Sequence, residues 1–280
     1  MNRRRLIGGV VGVGAALAGL AAYPVWKWSQ MRRTARQQSA LLIGGASAMY
    51  DLNVALGKEF EKRHGVPVIV ERGGSLPGLL AVRRHAIDIA AMARDLHGAE
   101  AEPEAHNHLI GRDAIAVVVH PQCPVRQLRR ETVRDVLSGR INNWKSLGGA
   151  NTPIKVVTRP RDSSTSRFVS EFVLDGEDLT VQAQVRKTRA EVLAFVRQNP
   201  DAFGCVATDE IGQLDDIVSL EIDNVPISRE TILSGRYPFV RSLYLMTYGI
   251  ARQQTLDFIA LAESPPGQRI VDQAGFLPVR

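Results

Sequence analysis

Apolar and polar positions change their spacing repeatedly along the chain, and each change predicts a switch between strand and helix. Short apolar runs such as Leu41–Gly44 and Ala114–Val119 predict buried strands. Between them, Tyr50–His64 has apolar residues at helical spacing and ends before Gly65, which predicts a helix. Further strands are predicted over Pro67–Val70, Ile87–Ala91, Ile154–Thr158, Phe203–Val206 and Leu243–Tyr248. Further helices are predicted over Leu76–His85, Thr132–Leu137, Ser163–Leu174, Gln253–Ala262 and Pro266–Ala274.

This alternation predicts an α/β protein in which mainly parallel sheets are flanked by helices. Sheets of this kind bind ligands at the carboxyl ends of their strands, where the chain turns into the next helix. The turns after the strands are therefore the first place to look for functional residues.

The N-terminal segment departs from this alternation. Three arginines at positions 3–5 precede Leu6–Trp26, a run of 21 residues without charge that is long enough to span a bilayer as a helix. We expect a signal or anchor segment over residues 1–28, followed by a linker over residues 29–40. The pattern predicts a location in the periplasm or cell envelope. Release by cleavage after Ala21 and anchoring in the cytoplasmic membrane both stay open, as do general secretory and twin-arginine export.

Two features favour an uncleaved anchor. Tyr23, Trp26 and Trp28 are typical of the aromatic belt at a membrane interface. Lys27 follows directly, together with arginines 32 and 33, and positive charge is unusual just after a cleavage site.

The charge distribution argues against nucleic acid as a partner. The 280 residues carry a formal net charge of +6, with 45% hydrophobic and 23% charged residues. Residues 1–40 contain seven Lys or Arg and no acidic residue, whereas the remaining 240 residues contain 28 basic and 29 acidic residues. The body therefore lacks the surplus of cations that binding to a phosphate backbone requires.

Metal, cofactor and enzyme motifs are weak or absent. His106 and His108 could ligate a metal, but the segment is interpreted as a solvated loop, and no cofactor is expected. No P-loop and no complete nucleophile elbow occurs, which excludes the enzyme classes that those motifs mark. Cys123 and Cys205 are 82 positions apart, and two buried free thiols are favoured over a disulfide.

A hydroxyl-rich turn is predicted between the strand ending at Thr158 and the helix beginning near Ser163. Ser163, Ser164 and Thr165 supply hydroxyl groups beside the free N–H groups of a helix start, where the helix dipole favours an anion. Arg159, four residues before Ser163, can add a planar guanidinium to an anion held there. The alternative is that one of the serines only caps the helix.

Two other turns are similar in composition. In one of them, Gly73 and Gly74 allow close approach of a ligand to the backbone, and Ser75 offers a hydroxyl or an N-cap. The turn over residues 44–49 offers backbone N–H groups and the hydroxyl of Ser47. Together, the three turns predict one cleft in which several helix N-termini point at an anion.

At these turns the sequence resembles the phosphate-binding proteins of bacterial phosphate ABC transporters, which belong to the type II periplasmic substrate-binding proteins. The resemblance covers nearly all of residues 41–280. It rests on spaced motifs that occur in the family's order: Ile43-Gly44-Gly45-Ala46-Ser47, Gly73-Gly74-Ser75, Asp88-Ile89-Ala90 with Arg94, Asp113 to Pro121, and Gly139 to Gly149 with Asn143-Trp144.

The resemblance implies a two-lobed fold with a ligand cleft between the lobes. Each lobe is expected to be a mainly parallel sheet flanked by helices. Lobe 1 would comprise residues 41–113 and 243–280, and lobe 2 residues 114–242. The strand over Ala114–Val119 would lead into the second lobe, and the strand over Leu243–Tyr248 would lead back.

The resemblance also implies a ligand set. The family's Arg and its Ser-Gly-Thr fall on Arg159 and residues 163–165, and its second-turn Ser falls on Ser75. Its first-turn Thr falls on Ala48, and a backbone N–H donor falls on Met49. Ser47 and Arg94 complete the candidate set.

The chain differs from the family pattern at four of these positions. Ala48 and Ala93 replace side-chain ligands, Ser164 replaces a Gly, and Arg161 replaces an acidic proton acceptor. We therefore expect binding that is weaker than is usual in the family or shifted toward a fully deprotonated oxyanion.

The expected function is that of an exported, monomeric binding protein, not an enzyme. It would capture an inorganic oxyanion, phosphate first, for an ABC permease in the inner membrane, with the N-terminal helix as a membrane contact. The alternative is a membrane-tethered sensory or degenerate family member that binds another anion or none.

Overall fold

The computed structural model describes residues 24–35, 39–161, 163–207 and 216–279, and it divides into two units. Unit 1 takes the described residues within Met1–Gly111, Ser242–Ala274 and Pro278–Arg280. Unit 2 takes those within Arg112–Arg241 and Gly275–Leu277. The short C-terminal segment of unit 2 differs from the prediction, which assigned all of residues 243–280 to lobe 1.

Unit 1 begins with α1, a helix over residues 24–35 of the described chain. The elements that follow it are β1 (Leu41–Gly45), α2 (Tyr50–His64), β2 (Val68–Arg72), α3 (Ser75–Arg83), β3 (Ile89–Met92) and the long strand β4 (Ala105–Val119). The order matches the predicted alternation of strands and helices, and α2 has the predicted bounds.

Unit 2 continues from β4. Its elements are β5 (Gln127–Leu128), α4 (Arg130–Ser138), β6 (Lys155–Thr158), α5 (Ser164–Phe168), β7 (Gln184–Val185), α6 (Arg189–Gln198), β8 (Ala202–Ala207), β9 (Val218–Ser219), β10 (Glu221–Ile222) and α7 (Arg229–Leu233). The next strand, β11 (Val240–Tyr248), starts in unit 2 and continues into unit 1. The chain ends with α8 (Gln253–Glu263), α9 (Pro265–Gln273) and β12 (Leu277–Pro278). Helix α5 runs directly into a π-helical turn over Val169–Val173.

The chain passes between the units on β4 and β11. The boundary lies after Gly111 on β4 and before Ser242 on β11. The two apolar runs predicted as strands are therefore parts of longer strands, and each lies after the boundary on its strand.

The sheet of unit 1 has a parallel core. β1 pairs in parallel with β2 on one side and with β3 on the other, and β11 pairs antiparallel with β3. Because β1, β2 and β3 run in the same direction, their carboxyl ends lie at one edge of the sheet.

The sheet of unit 2 is mixed. β6 pairs in parallel with β8 and with β7, whereas β4 pairs antiparallel with β8 and β9. A cluster of buried apolar side chains fills one side, including Trp144, Phe168, Phe203 and Tyr237. The carboxyl end of β6 leads through Arg159 to α5.

A buried ion pair joins the two crossover strands inside unit 2. Arg241 Nε lies 3.0 Å from Asp113 Oδ2, and the side chains are 2% and 8% exposed. The Arg241 guanidinium also lies 4.8 Å from the centre of the Phe168 ring. Buried charges are tolerated when they are paired, and this pair is almost completely buried.

The predicted linker over residues 29–40 is wrong for its first half, because residues 29–35 belong to α1. Val25, Trp28 and Ala35 follow a helical spacing and are buried against unit 1. The apolar face starts before residue 29, so the pattern of residues 29–40 alone did not reveal it. Trp28 is fully buried in this core and is not part of an exposed aromatic belt, whereas Trp26 is 60% exposed.

The predicted signal or anchor segment covers residues 1–28 and contains the apolar run Leu6–Trp26. Its residues 1–23 lie outside the described residues, and residues 24–28 belong to α1. Within the part of the chain that the structure describes, no helix combines the length and the hydropathy of a membrane span.

Two further expectations concern the cysteines and the segment that contains His106 and His108. Cys123 and Cys205 are buried free thiols, as favoured from the sequence, and burial raises the pKa of Cys205 to about 12. His106 and His108 lie on β4, which corrects the interpretation of this segment as a loop. The loop interpretation failed because polar residues alternate only weakly along this half of the strand.

Candidate functional site

Three strand ends of unit 1 meet at one edge and are joined by backbone hydrogen bonds. Gly45 O accepts from Gly73 N at 2.9 Å and from Gly74 N at 2.8 Å. Ala46 N donates to Ala91 O at 2.8 Å on the other side. The first and second candidate turns are thus mechanically coupled through the end of β1.

Ser75 is held in place by the end of the third strand. It is the first residue of α3, and Gly74 is the N-cap, so the prediction of Ser75 as N-cap is wrong. The Ser75 Oγ accepts a hydrogen bond from Ala93 N at 3.2 Å. Because the oxygen acts as acceptor in this contact, the hydroxyl proton is available to a further acceptor. The arrangement suits donation to an anion.

The first turn is a 3₁₀ helix over Ser47–Met49. The Met49 N–H, an expected ligand donor, donates to Ala46 O at 3.0 Å, and the Met49 side chain is fully buried. The N–H groups of Ser47 and Ala48 open this helix, where amides have no partner within the helix. The available backbone donors of this turn are therefore those of Ser47 and Ala48, one and two residues before the expected one.

Arg94 is engaged by a carboxylate. Its two terminal nitrogens donate to Glu100 at 2.6 and 2.8 Å in a bidentate ion pair. These hydrogen bonds lower the pKa of Glu100 to about 2 and raise the pKa of Arg94. Arg94, a member of the candidate set, thus has a strong intramolecular partner instead of an open guanidinium.

The absence of a side chain at position 73 has a steric cause that the sequence did not reveal. A Cβ atom at Gly73 would lie 2.5 Å from the Trp28 ring, and one at Gly44 would lie 2.9 Å from it. Real Cβ atoms do not approach other heavy atoms this closely. Gly73 therefore makes room for a side chain of this protein.

In unit 2, Ser163 is the N-cap of α5. Its Oγ accepts a hydrogen bond from Ser166 N at 3.1 Å, so capping, left open from the sequence, is one of its roles. As with Ser75, the oxygen is the acceptor and the hydroxyl proton stays available. Ser164 and Thr165 follow as the first two helical residues, and Thr165 is 6% exposed.

Arg159 differs from Arg94 in having an open guanidinium. Its Nε donates to Lys187 O at 3.1 Å, and its carbonyl accepts from Ser166 Oγ at 2.8 Å. The two terminal nitrogens have no hydrogen bond or ion pair to any described residue. The contact of Nε with the backbone orients the guanidinium, while its two terminal nitrogens can take a bidentate acceptor.

A cavity of about 370 Å³ lies in unit 2 beside this segment. Arg159, Arg161 and Arg167 line it, but residues 163–165 do not. Arg159 thus borders both this cavity and the predicted cradle, and nothing in the sequence pattern pointed to the cavity. Asp162, between these groups, lies outside the described residues.

Comparisons with known proteins find relatives that match most of this chain. The phosphate-binding protein PstS of Bacillus subtilis is 27% identical over 249 residues, which is 87% of this chain and 82% of the relative. The phosphate-binding protein PstS of Borreliella burgdorferi is 25% identical over 251 residues, which is 85% of this chain and 89% of the relative.

Solved structures show the fold. An ABC-type phosphate transport receptor from Vibrio cholerae matches with a TM-score of 0.74 and 24% identity, over 85% of this chain and 99% of that one. PstS from Borrelia burgdorferi matches with a TM-score of 0.75 and 23% identity, over 86% and 99%. These matches confirm the predicted α/β periplasmic-binding-protein fold.

The sequence profile of the PBP superfamily domain matches residues 32–264, which is well over half of the chain. The matched range begins inside α1 and includes the candidate turns of both units. The chain therefore belongs to the PBP superfamily.

Proposed function

We propose that this protein is an exported substrate-binding protein that captures an inorganic oxyanion, phosphate in the first place, for an ABC permease. The observation that carries the proposal is the match to two proteins named phosphate-binding protein PstS over more than 80% of each chain. Those relatives are named as binding proteins, and the function proposed here requires no catalytic group.

Arg159 is the central residue of the proposed site. A charge-assisted hydrogen bond contributes about 1.5–3 kcal/mol, so its bidentate fork is the strongest donor in the set. Ser163, Ser164 and Thr165 add hydroxyl and amide donors at the start of α5. The resemblance adds Ser75 and the amides of the turn that begins at Ser47 to the proposed set.

The donor set favours a fully deprotonated oxyanion. Every group named above donates, and Arg161 stands where an acceptor for a phosphate proton is expected from the resemblance. A donor-only site favours an anion without protons, such as sulfate, and it binds the phosphate dianion better than the monoanion, because the dianion has one proton fewer to face a donor. The affinity for phosphate should therefore rise as the pH passes through the second pKa of phosphate.

Export places the site outside the cytoplasm, where an ABC permease could receive the ligand. The support is the charged and apolar N-terminal sequence, and anchoring by residues 6–26 remains part of the proposal. A fusion of residues 1–40 to a reporter that is active only outside the cytoplasm should be active. An intact but inactive fusion would contradict export.

The direct test is calorimetric titration of the full chain with phosphate, sulfate and molybdate. Arg159→Ala should lose oxyanion binding, and Arg236→Ala, which removes an exposed arginine of unit 2 paired with Glu230, is the matched control. Equal binding by the parent and Arg159→Ala would overturn the site assignment.

A second function is favoured by specific observations in unit 1. The Met49 N–H and Arg94 are already engaged, and positions 48 and 93 carry alanine. A sensory or degenerate member that binds another anion or none would show this pattern. If neither the parent nor any variant binds an oxyanion, this second function replaces the first.

A further inference from the structure

Helix α1 is packed into unit 1 through one large aromatic side chain. Trp28 has no exposed surface and lies in a cluster with Leu42, Leu79 and Ala90, which are residues of β1, α3 and β3. Its indole Nε1–H has no hydrogen-bond partner among the described residues. The ring therefore contributes to this contact by shape and apolar area.

The chain leaves space for this ring at two candidate turns. Cβ atoms at Gly44 and Gly73 would lie 2.9 and 2.5 Å from Trp28. Neither glycine has a positive φ, so their backbones would accept a larger residue if the ring were absent. The indole makes the shortest contacts at both positions, and a Cβ atom at Gly73 would also lie 3.2 Å from Pro24 Cβ.

Residues of α1 before and after Trp28 form ion pairs that hold the helix on unit 1. Lys27 Nζ lies 2.6 Å from Glu71 on β2, one residue before the end of that strand. Arg32 pairs with Asp88, whose side chain is 3% exposed. The same carboxylate accepts from Arg252 at 2.7 Å and from Leu42 N at 2.9 Å, so α1 is tied to two strand ends and to the start of α8.

We propose that α1 is an integral clip of unit 1, in which Trp28 is the positioning residue for the oxyanion-binding turns. This inference rests on the proposed function for the identity of the ligand. Trp28 holds Gly44 and Gly73, and Gly45 O accepts from the amides of residues 73 and 74. The indole thereby fixes the distance between the turn that starts at Ser47 and the turn that carries Ser75.

The coupling matters because the ligand contacts are short and directional. Hydrogen bonds to an oxyanion weaken steeply when the donor moves by a fraction of an ångström or loses its alignment. Removal of the ring leaves both turns free to move toward the vacated space. The donors would remain in the sequence, but their spacing would change.

The same contact restricts processing of the N-terminus. A mature chain that began after residue 28 would lack Trp28 and Lys27. Cleavage after Ala21 or retention of the whole segment preserves the clip, whereas cleavage within α1 removes it.

The test uses point variants of the full chain. Trp28→Ala should weaken phosphate binding about tenfold and accelerate hydrogen exchange of the turn amides over residues 44–49 and 73–76 by about tenfold. Trp28→Phe should stay within about threefold of the parent in both measurements, because the indole N–H has no partner. Phe60→Leu is the matched control, since it trims a buried aromatic ten residues along α2 from its start.

A double-variant cycle tests the steric part. Gly73→Ala should weaken binding in the parent but have a much smaller effect in Trp28→Ala, because the clash partner is gone. Equal effects of Gly73→Ala in both backgrounds would overturn the clip. So would unchanged exchange at the turns in Trp28→Ala, or an equal acceleration there in Phe60→Leu.

The exchange measurement separates this inference from the proposed function. If the parent binds no phosphate, the proposed function fails, but faster exchange confined to the two turns still supports the clip. If phosphate binds equally well to the parent and to Trp28→Ala, the inference fails while the proposed function stands.

Discussion

The beginnings of α3 and α5 look alike in sequence, yet the arginine near each of them has different hydrogen-bond partners. At both starts a serine Oγ accepts a backbone hydrogen bond, from Ala93 N to Ser75 and from Ser166 N to Ser163. Near α5, Arg159 keeps an open guanidinium fork. In unit 1, Arg94 is occupied by Glu100.

The glycines add to the contrast. Gly73, next to α3, accommodates Trp28 instead of leaving open space, whereas the segment before α5 contains no glycine. A turn rich in small and hydroxyl residues therefore has two explanations, internal packing and ligand binding. The difference between them is whether donors remain unpaired after folding.

The largest effect is expected from the two arginines. Arg159→Ala should reduce oxyanion affinity by about a hundredfold or more, since charge-assisted hydrogen bonds are lost. Arg94→Ala should change it by less than about threefold, since that guanidinium is already paired. Calorimetric titration of both variants with phosphate measures the loss of affinity in each. A larger loss in Arg94→Ala would reverse the comparison.

The two serines should have intermediate effects. Ser75→Ala and Ser163→Ala each remove one hydroxyl donor and leave one amide without its acceptor, so affinity should fall about tenfold. Each should also lower the free energy of unfolding by about 1 kcal/mol, as loss of such a contact does. Binding and urea unfolding are measured on the same preparations. A loss of stability without a loss of affinity would make that serine a structural residue only.

Adding a donor in unit 1 should have a smaller effect in the opposite direction. Ala48→Thr supplies the hydroxyl that the resemblance expects at this position and should raise phosphate affinity about threefold to tenfold. Ala48→Val, which has a similar shape without the hydroxyl, is the control. Equal affinity of the two variants would show that position 48 does not face the ligand.

The smallest effect concerns the Arg94–Glu100 pair and its dependence on pH. The pKa of Glu100 is lowered to about 2 in the folded protein, against about 4.3 for an unfolded chain. A lowered carboxyl pKa stabilises the fold above the unfolded value, and this stabilisation is lost as the pH falls toward 2. The difference in unfolding free energy between the parent and Glu100→Gln should thus be constant above about pH 5 and shrink below it. A difference that does not change with pH would show that the ionisation of Glu100 does not contribute to stability.

Most of the fold was predictable from residue spacing. Helix α2 has the predicted bounds, because its apolar face and the closing Gly65 are both local signals. Elements with weak local signals were missed, such as the two-residue strands β5 and β7 and the polar first half of β4. Strand pairing across the chain defines these elements, and spacing within a short window does not record it.

The residue types of the candidate site were predictable from the sequence. Which of their donors stay unpaired after folding was not. The sequence alone determined the α/β order, the hydroxyl-rich turns, Arg159 before α5 and the apolar N-terminal segment, because these are local patterns of period, charge and residue type. Only the tertiary structure decided that Arg94 is paired, that the Met49 amide is used and that Trp28 fills the space at Gly44 and Gly73. The physical reason is that a donor becomes free or occupied through partners distant in sequence, and those partners meet only when the chain is folded.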